Sequence, residues 1–353
     1  MRKGFLTPRT VDIMVPVLSA IFGLLVGAII MAVSGYSPSV GYSALLDGML
    51  GNPRAIGETI RTALPLVLAG LSVAFAFRTG LFNIGVEGQL LVGWLASVWV
   101  GYALDLPKII HLPLSILAAA VAGGIWGFIP GYLKGKFKVN EVIVTIMMNY
   151  IALYTTYALI KRFLHAGNEK TFDIKASASL ASPWLASITG GSRLHWGIIV
   201  VILVAILMWF ILDRTTLGYE LKAVGYNRHA SHYAGMKVSR NVILSMTIAG
   251  AFAGIGGAME GLGTFQYMTA MTSFTGVGFD GIAVALLGMN NAFGIILSAL
   301  LFGGLKNAAP QMNFAADVPS ELINVIIACI IFFVASSYII RWALSRFSKE
   351  GNK

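Results

Sequence analysis

Long apolar runs, repeated from one end of the sequence to the other, leave this chain few folds to choose from. They fall at about 11–33, 59–77, 89–104, 112–133, 141–160, 195–212, 241–263, 277–289, 293–309 and 320–341. Backbone held in hydrocarbon must satisfy its own hydrogen bonds, either within a helix or around a closed barrel. These runs are continuous rather than alternating, which excludes the barrel. The sequence therefore predicts an all-α polytopic membrane protein: one domain over residues 1–353, with about ten transmembrane helices. Composition agrees, since 57% of residues are hydrophobic and 11% charged, against about 25% charged in soluble domains.

A net charge of +10 would point a soluble protein toward nucleic acid. Here the bases sit in short connections between spans, where membrane orientation accounts for them, and no nucleic-acid partner is expected. Arg2, Lys3, Arg9, Arg78, Lys134, Lys136, Lys138, Arg214, Lys222, Arg228, Lys237, Arg240, Arg341, Arg346, Lys349 and Lys353 gather on one side, which places both termini in the cytoplasm. Segment 161–194 then becomes an extracytoplasmic loop, read as a connector, with Trp184 and Trp196 at the interface near its end. The first run is too long for the core of a cleavable signal and is read as a retained helix. The single cysteine, Cys329, lies in an apolar run and is read as a packing residue.

The cytoplasmic loop 214–240 breaks the membrane pattern. Within it, Leu221, Val224, Ala230, Tyr233 and Ala234 recur at three- and four-residue steps, as on a short amphipathic helix. Two readings stand level: a docking surface for another protein, or a solvated basic loop that only sets orientation.

Small residues at four-residue steps, Gly123–Gly127–Gly131, Gly250–Gly254 and Gly257–Gly261, predict close helix packing. Pro65 and Pro130 predict kinks. Two glycine-rich segments, 79–89 and 275–281, each begin Thr-Gly, carry polar groups among glycines and lead into a short apolar run. Their corresponding places in the two halves predict a 5+5 inverted repeat, and broken segments so placed point to a transport path. Path candidates are Asn83, Glu87, Gln89, Asn149, Glu260, Gln266, Asp280 and Asn307, since polar groups inside spans are expensive unless they face protein or water. For each, helix-to-helix hydrogen bonding is the competing role.

Some chemistry is missing. No G-x-x-x-x-G-K-[ST] loop occurs, so the chain is not expected to hydrolyse ATP. The five histidines fall in connections or at span edges, away from any buried nucleophile. His229 and His232, three apart, make an incomplete metal pair, and no metal or other cofactor is expected in the chain. An intramembrane enzyme is disfavoured, while a proton-coupled carrier using Glu260 or Asp280 stays open as the alternative.

Two strings, FRTGLFNIGVEGQLLVG at 77–93 and GYELKAVGYNRHASHYAGM at 218–236, resemble permease subunits of bacterial ABC importers. The resemblance is to the branch that carries simple sugars, nucleosides and branched-chain amino acids, and it is nearest to the nucleoside and simple-sugar group. It implies a permease in the bacterial inner membrane, with 214–240 as a coupling-helix loop seated on a separate ATPase subunit that binds ATP and Mg. Gly225, Asn227, Ala230, Tyr233, Ala234 and Gly235 match that group's pattern. The resemblance also implies a second permease chain, similar or identical, and an extracytoplasmic solute-binding lipoprotein.

Overall fold

The computed structural model describes residues 8–336 except 165, 168 and 320. Arg2, Lys3, His165, Arg341, Arg346, Lys349 and Lys353, with the far end of the last expected span, lie outside the described residues. The helices are α1 (Pro8–Val33), α2 (Pro38–Leu50), α3 (Pro53–Arg78), α4 (Val86–Ala103), α5 (Lys108–Phe137), α6 (Glu141–Leu159), α7 (Pro183–Ile188), α8 (Gly197–Arg214), α9 (Thr216–Tyr226), α10 (Arg228–Tyr233), α11 (Val238–Ala258), α12 (Val277–Leu287), α13 (Ala292–Ala316) and α14 (Glu321–Ala335). Two π-helical turns, Ile160–Leu164 and Met259–Thr264, extend α6 and α11. Extended pairing among the described residues is confined to isolated bridges, Lys170 with Thr269 and Ala181 with His195.

Among the described residues, seven helices are long and apolar enough to cross a membrane, against ten expected over the whole chain. The expected spans that fall short are informative. α12 has 11 residues. α4 reaches 18 residues but opens on Val-Glu-Gly-Gln, which dilutes its hydropathy. α2, a 13-residue helix, was absent from the expectation because Ser, Asp and Gly interrupt its apolar pattern.

Local chemistry sets the helix starts. Asn52 caps α3 by accepting from the Ala55 N–H at 2.8 Å, with Pro53 in the first turn. Asn140 caps α6 and Asn291 caps α13 in the same manner. Lys138, in the left-handed region at φ 57°, ends α5. Helices α3 and α5 run on through Pro65 and Pro130.

Two spans form the middle of the bundle: the apolar stretch within Pro53–Arg78 is 78% buried and that within Val238–Thr264 67%, against 28% for that within Lys108–Phe137. The expected glycine faces explain how α5 is held against central α11. A Cβ on Gly123 would sit 2.3 Å from the Gly250 carbonyl, and one on Gly254 would sit 2.2 Å from that of Ala119, so α5 and α11 touch backbone to backbone. Gly93 of α4 meets Gly254 equally closely: a Cβ there would stand 2.4 Å from the Gly254 Cα.

Helix α8 is unbroken, so the connection before it, 166–196, and the one after it, 215–237, lie at opposite ends of the bundle. The first is strapped down rather than loose. Thr171 N–H donates to Met268 O, Ile174 N–H to Gln266 O, Lys175 N–H to Gly101 O and Leu180 N–H to Leu262 O, all within 2.8–2.9 Å. Trp184 and Trp196 stack at 5.8 Å and are partly exposed. Two histidines at this end are buried despite their edge positions. His111 bridges Ser177 and the Val100 carbonyl, and His195 fills the space that Gly263 leaves open. At the other end, Pro16 and Val17 of α1 lie beside Arg78 and Met289. α14 packs antiparallel on α1, Ile330 against Gly23 and Ile326 against Gly27, and so returns toward that same end.

The seam between α5 and α11 gives a contrast between adjacent glycines. Gly123→Ala must push a backbone carbonyl, whereas Gly124→Ala meets its nearest atom at 3.4 Å. The first is expected to cost about 1–3 kcal/mol and the second little, measured as thermal unfolding of the detergent-purified chain.

Candidate functional site

The two glycine-broken segments meet each other. α4 and α12 both begin inside the bundle and run to opposite ends, α4 toward Gly101 and the strapped connection, α12 toward Asn290 and Arg78. Their N-termini face one another, and the side chain of Glu87, fully buried in the first turn of α4, lies between them. It accepts from the Gly276 N–H at 3.0 Å, the Gly278 N–H at 2.6 Å and the Thr275 hydroxyl at 2.6 Å. An acid is the side chain such a place wants, because the free N–H groups and positive dipole ends of two helices converge there. Gly278 must lack a side chain, since its Cβ would stand 2.4 Å from the Glu87 nitrogen. Gly276, at φ 81°, turns the chain into α12.

Around this junction the expected polar residues close on themselves. Asn83 and Gln89 exchange amide hydrogen bonds at 2.9 and 3.2 Å, and Asn83 also accepts from the Gly85 N–H. Asn149 of α6 accepts from the Gly88 N–H at 2.8 Å and donates to the Ile84 carbonyl at 3.0 Å. All four side chains are at most 2% exposed. Asn83, Glu87, Gln89 and Asn149 thus hold the re-entrant turn 79–85 inside the bundle, and their hydrogen-bonding capacity is spent on protein.

The other candidates lie apart. Glu260 and Gln266 sit in and after the second π turn, at the strapped end; one Glu260 carboxylate oxygen is buried without a hydrogen-bond partner. Gln266 adopts φ 64°, and its carbonyl receives the Ile174 N–H. Asn307 donates to the Gly48 carbonyl at 3.2 Å and joins α13 to α2 and α3. Asp280 pairs with Lys306 of α13, both partly exposed.

At the opposite end from the strapped connection, the expected amphipathic helix is two helices. The chain breaks at Asn227, whose side chain caps α10 by accepting from the His229 and Ala230 N–H groups at 3.0 Å. Leu221 and Val224 are buried, while Ala230, Tyr233, Ala234 and Gly235 are exposed. Tyr226 and Tyr233 stand out at 90% and 91% exposure. Beneath them the element is braced on the bundle. Gly225 packs on the Arg78 carbonyl, where a Cβ would come within 2.3 Å, and Arg228 donates to the Gly80 carbonyl. Glu220 receives Asn241, and Lys222 pairs with Asp213. Arg78 in turn donates to the Asn290 carbonyl at 2.9 Å, just beyond α12. A basic groove of about 790 Å3, lined by Lys134, Lys138, Arg228, His229, His232 and Lys237, opens beside α10. His229 and His232 gain no third ligand, and no group of three metal-ligating side chains occurs among the described residues.

Two features of this arrangement were missed in the sequence. Lys306 stands alone as a base inside an apolar run, a visible signal of a paired acid. Arg61 lies in the third turn of α3 and bonds Glu58 at 2.6 Å; Glu58 also receives the Arg193 N–H.

Comparison with known proteins adds to this geometry. The family described as branched-chain amino acid transport system / permease component matches residues 55–335. The guanosine ABC transporter permease protein NupP of Bacillus subtilis is 59% identical over 97% of this chain and 99% of its own length. The nucleoside ABC transporter permease protein NupB of Lactococcus lactis is 42% identical over 96% and 94% respectively. The glucose ABC transporter permease protein TsgB13 of Haloferax volcanii is 32% identical over 96% and 91%.

The junction predicts a steep cost for a small change. Glu87→Gln replaces one acceptor oxygen by an N–H2 facing a backbone N–H. It is expected to lower stability by about 2–3 kcal/mol, seen as a lower unfolding temperature of the purified chain, whereas Ser72→Ala, at the weak 3.4 Å contact to Asn83, should change it little. The strapped end predicts a pH dependence. Burial, followed by the nearby Arg61 charge, pushes the His195 imidazole down from 6.5 to about 4. The fold therefore favours the neutral ring. That contribution is complete above pH 6.5 and is lost as pH falls toward 4, by about 2 kcal/mol at pH 5. Proteolysis within 181–194 should accelerate between pH 7 and pH 5, and His195→Asn should flatten that dependence.

Proposed function

This chain belongs to the permease-component family of the branched-chain amino acid transport system, and from that footing we propose that it translocates a nucleoside, or a related sugar-containing solute, as the membrane subunit of an ABC importer. Its relatives of 59% and 42% identity are permease proteins for guanosine and nucleosides, and the solute class follows from them. The chain is a multi-pass membrane protein with no ATPase site of its own. A proton-driven carrier is disfavoured by the same relatives. The drive comes from a separate ATPase subunit holding ATP and Mg, the solute from an extracytoplasmic binding lipoprotein. A second permease chain, similar or identical, completes the path.

One observation carries the mechanism: the α9–α10 element offers its small and aromatic side chains outward while its base is fixed to the ends of α3 and α12. Ala230, Ala234 and Gly235 allow close approach, and Tyr226 and Tyr233 provide the area that interface anchors use. In this reading the ATPase grips that surface. Its motion passes through Gly225 and Arg228 to Arg78 and Gly80, then by the 79–85 turn to the Glu87 junction and by Asn290 to α12. The spans shift between outward- and inward-open states by rocking about that level.

The topology that goes with this reading has ten crossings in a 5+5 inverted repeat, with both termini in the cytoplasm. What supports it is the pairing of α4 and α12, which start at a shared level and diverge. The bases around α9 and α10 support the cytoplasmic assignment. Segments 161–194 and 214–240 are then the extracytoplasmic and coupling loops of one permease domain.

Reconstitution tests the reading. A complex of this chain with its ATPase and second permease, in proteoliposomes with guanosine-loaded binding protein, is expected to accumulate guanosine only with ATP. Ala234→Glu should cut uptake at least about tenfold, because a charge buried at a contact costs well over the 1.4 kcal/mol that a factor of ten represents, while insertion and melting stay normal. Full-rate uptake by the chain alone would overturn the proposal.

A further inference from the structure

Most lipid-facing surfaces of this bundle are plain hydrocarbon. Helix α8 exposes Ile202, Leu203, Ile206 and Phe210, and α5 exposes Leu117, Val121 and Ile125. The span Glu141–Leu164 differs. Among exposed Ile143, Met147 and Ile151, its middle also exposes Tyr150 at 46% and Tyr154 at 64%, one turn apart and therefore on one face, with Thr155 beside them. Tyr154 lies about 20 Å along the helix from Glu141, at the 1.5 Å rise of each residue, which is close to mid-bilayer. None of these three hydroxyls hydrogen-bonds to a described residue, whereas Thr145 and Thr156 of the same helix return theirs to carbonyls one turn back. Hydroxyls left unpaired in hydrocarbon are costly, so this face belongs against water or another polar surface.

The face continues onto α12. The Tyr150 ring meets Phe274 edge to face at 5.1 Å, and Phe274 meets Phe279 at 5.7 Å. Phe279 is 39% exposed, with Thr272 and Ser273 exposed alongside. Next to Phe279 comes the partly exposed Asp280–Lys306 pair. Aromatic faces, hydroxyls and an ion pair thus form one surface across a membrane-spanning bundle.

We propose that this surface, from Tyr154 and Tyr150 through Phe274 and Phe279 to Asp280 and Lys306, is the wall of the solute path, with the aromatic rings stacking on the heterocyclic base of a nucleoside and the hydroxyls bonding its sugar. Stacking accepts any flat heterocycle, since it reads the ring's face rather than its edge. Hydroxyl groups on the wall serve the polyol that nucleosides and simple sugars share. The buried cluster around Glu87 is then scaffold beneath this wall rather than the wall itself. This inference rests on the permease reading, and the experiment separates the two.

The complex is prepared in a Cys329→Ala background, which removes the chain's single cysteine. Tyr154→Cys on the proposed wall and Leu203→Cys on the α8 lipid face are treated with a membrane-impermeant methanethiosulfonate, which reacts only with thiolate in water. Tyr154→Cys is expected to react at least tenfold faster, and guanosine delivery during turnover should slow it. Equal rates would place α6 against lipid and overturn the proposal, whether or not the complex transports. In parallel, Phe274→Ala and Phe279→Ala are expected to raise the KM for guanosine uptake about tenfold. ATP hydrolysis should be unchanged, and Phe274→Tyr should restore the parent KM. Unchanged KM in both alanine variants would also overturn it. A wild-type complex that moves no nucleoside counts instead against the functional reading, since the labelling contrast does not depend on uptake.

Discussion

A single carboxylate sits where two helices start. Glu87 answers the free N–H groups of α12 from a position in the first turn of α4, and with it the bundle can hold two helix beginnings in its interior. Without an acceptor there, four N–H groups of each helix would compete for water that the membrane does not supply. The neighbouring amides extend the same logic. Asn149 answers Gly88 and Ile84, and Asn83 answers Gly85, so where the turn leaves the α3 carbonyls its backbone is satisfied by side chains. What reads along the sequence as a scatter of polar residues is in space one device for closing a break.

That device also explains why one end of the bundle can speak to its interior. Arg78 belongs to the last turn of α3, and the re-entrant turn follows it directly. Its guanidinium holds the carbonyl of Asn290 beyond α12, and its own carbonyl is the floor on which Gly225 rests. The α9–α10 element is therefore connected to both broken helices by a few short contacts, two of them made by Arg78 and Arg228. The strapped connection at the far end is tied to the second π turn by backbone hydrogen bonds at Leu262 and to the extended segment after it at Gln266 and Met268.

Much of the architecture was legible because membrane helices advertise themselves by length, and because glycines at four-residue steps are chosen for contact. Gly123, Gly250 and Gly254 were readable as a packing face, and they are one. The junction was legible in its parts: both segments stood out, and Glu87 was named. Their meeting was not, because a sequence carries no distance between residues 87 and 278. The break at Asn227 was obscured by small residues that continue the helical period on both sides of a good capping residue. Lys306 was overlooked because an apolar run was read as a whole, although one base in such a run demands an acid nearby. The face on α6 was hidden for another reason. Tyr150 and Tyr154 lie within a run that stays apolar on average, and only exposure distinguishes a tyrosine turned outward from one in a core.

The seam between α5 and α11 has a mechanical corollary. Side chains that interlock can yield by changing rotamer, but Gly123, Gly250 and Gly254 bring peptide planes together with nothing between them to yield. The two helices, with α4 laid along Gly254, form a stiff plate. A plate of this kind tilts or stays; it does not shear. Any displacement applied at the α9–α10 end would then appear where contacts are longer and softer, among the aromatic rings joining α6 to the beginning of α12.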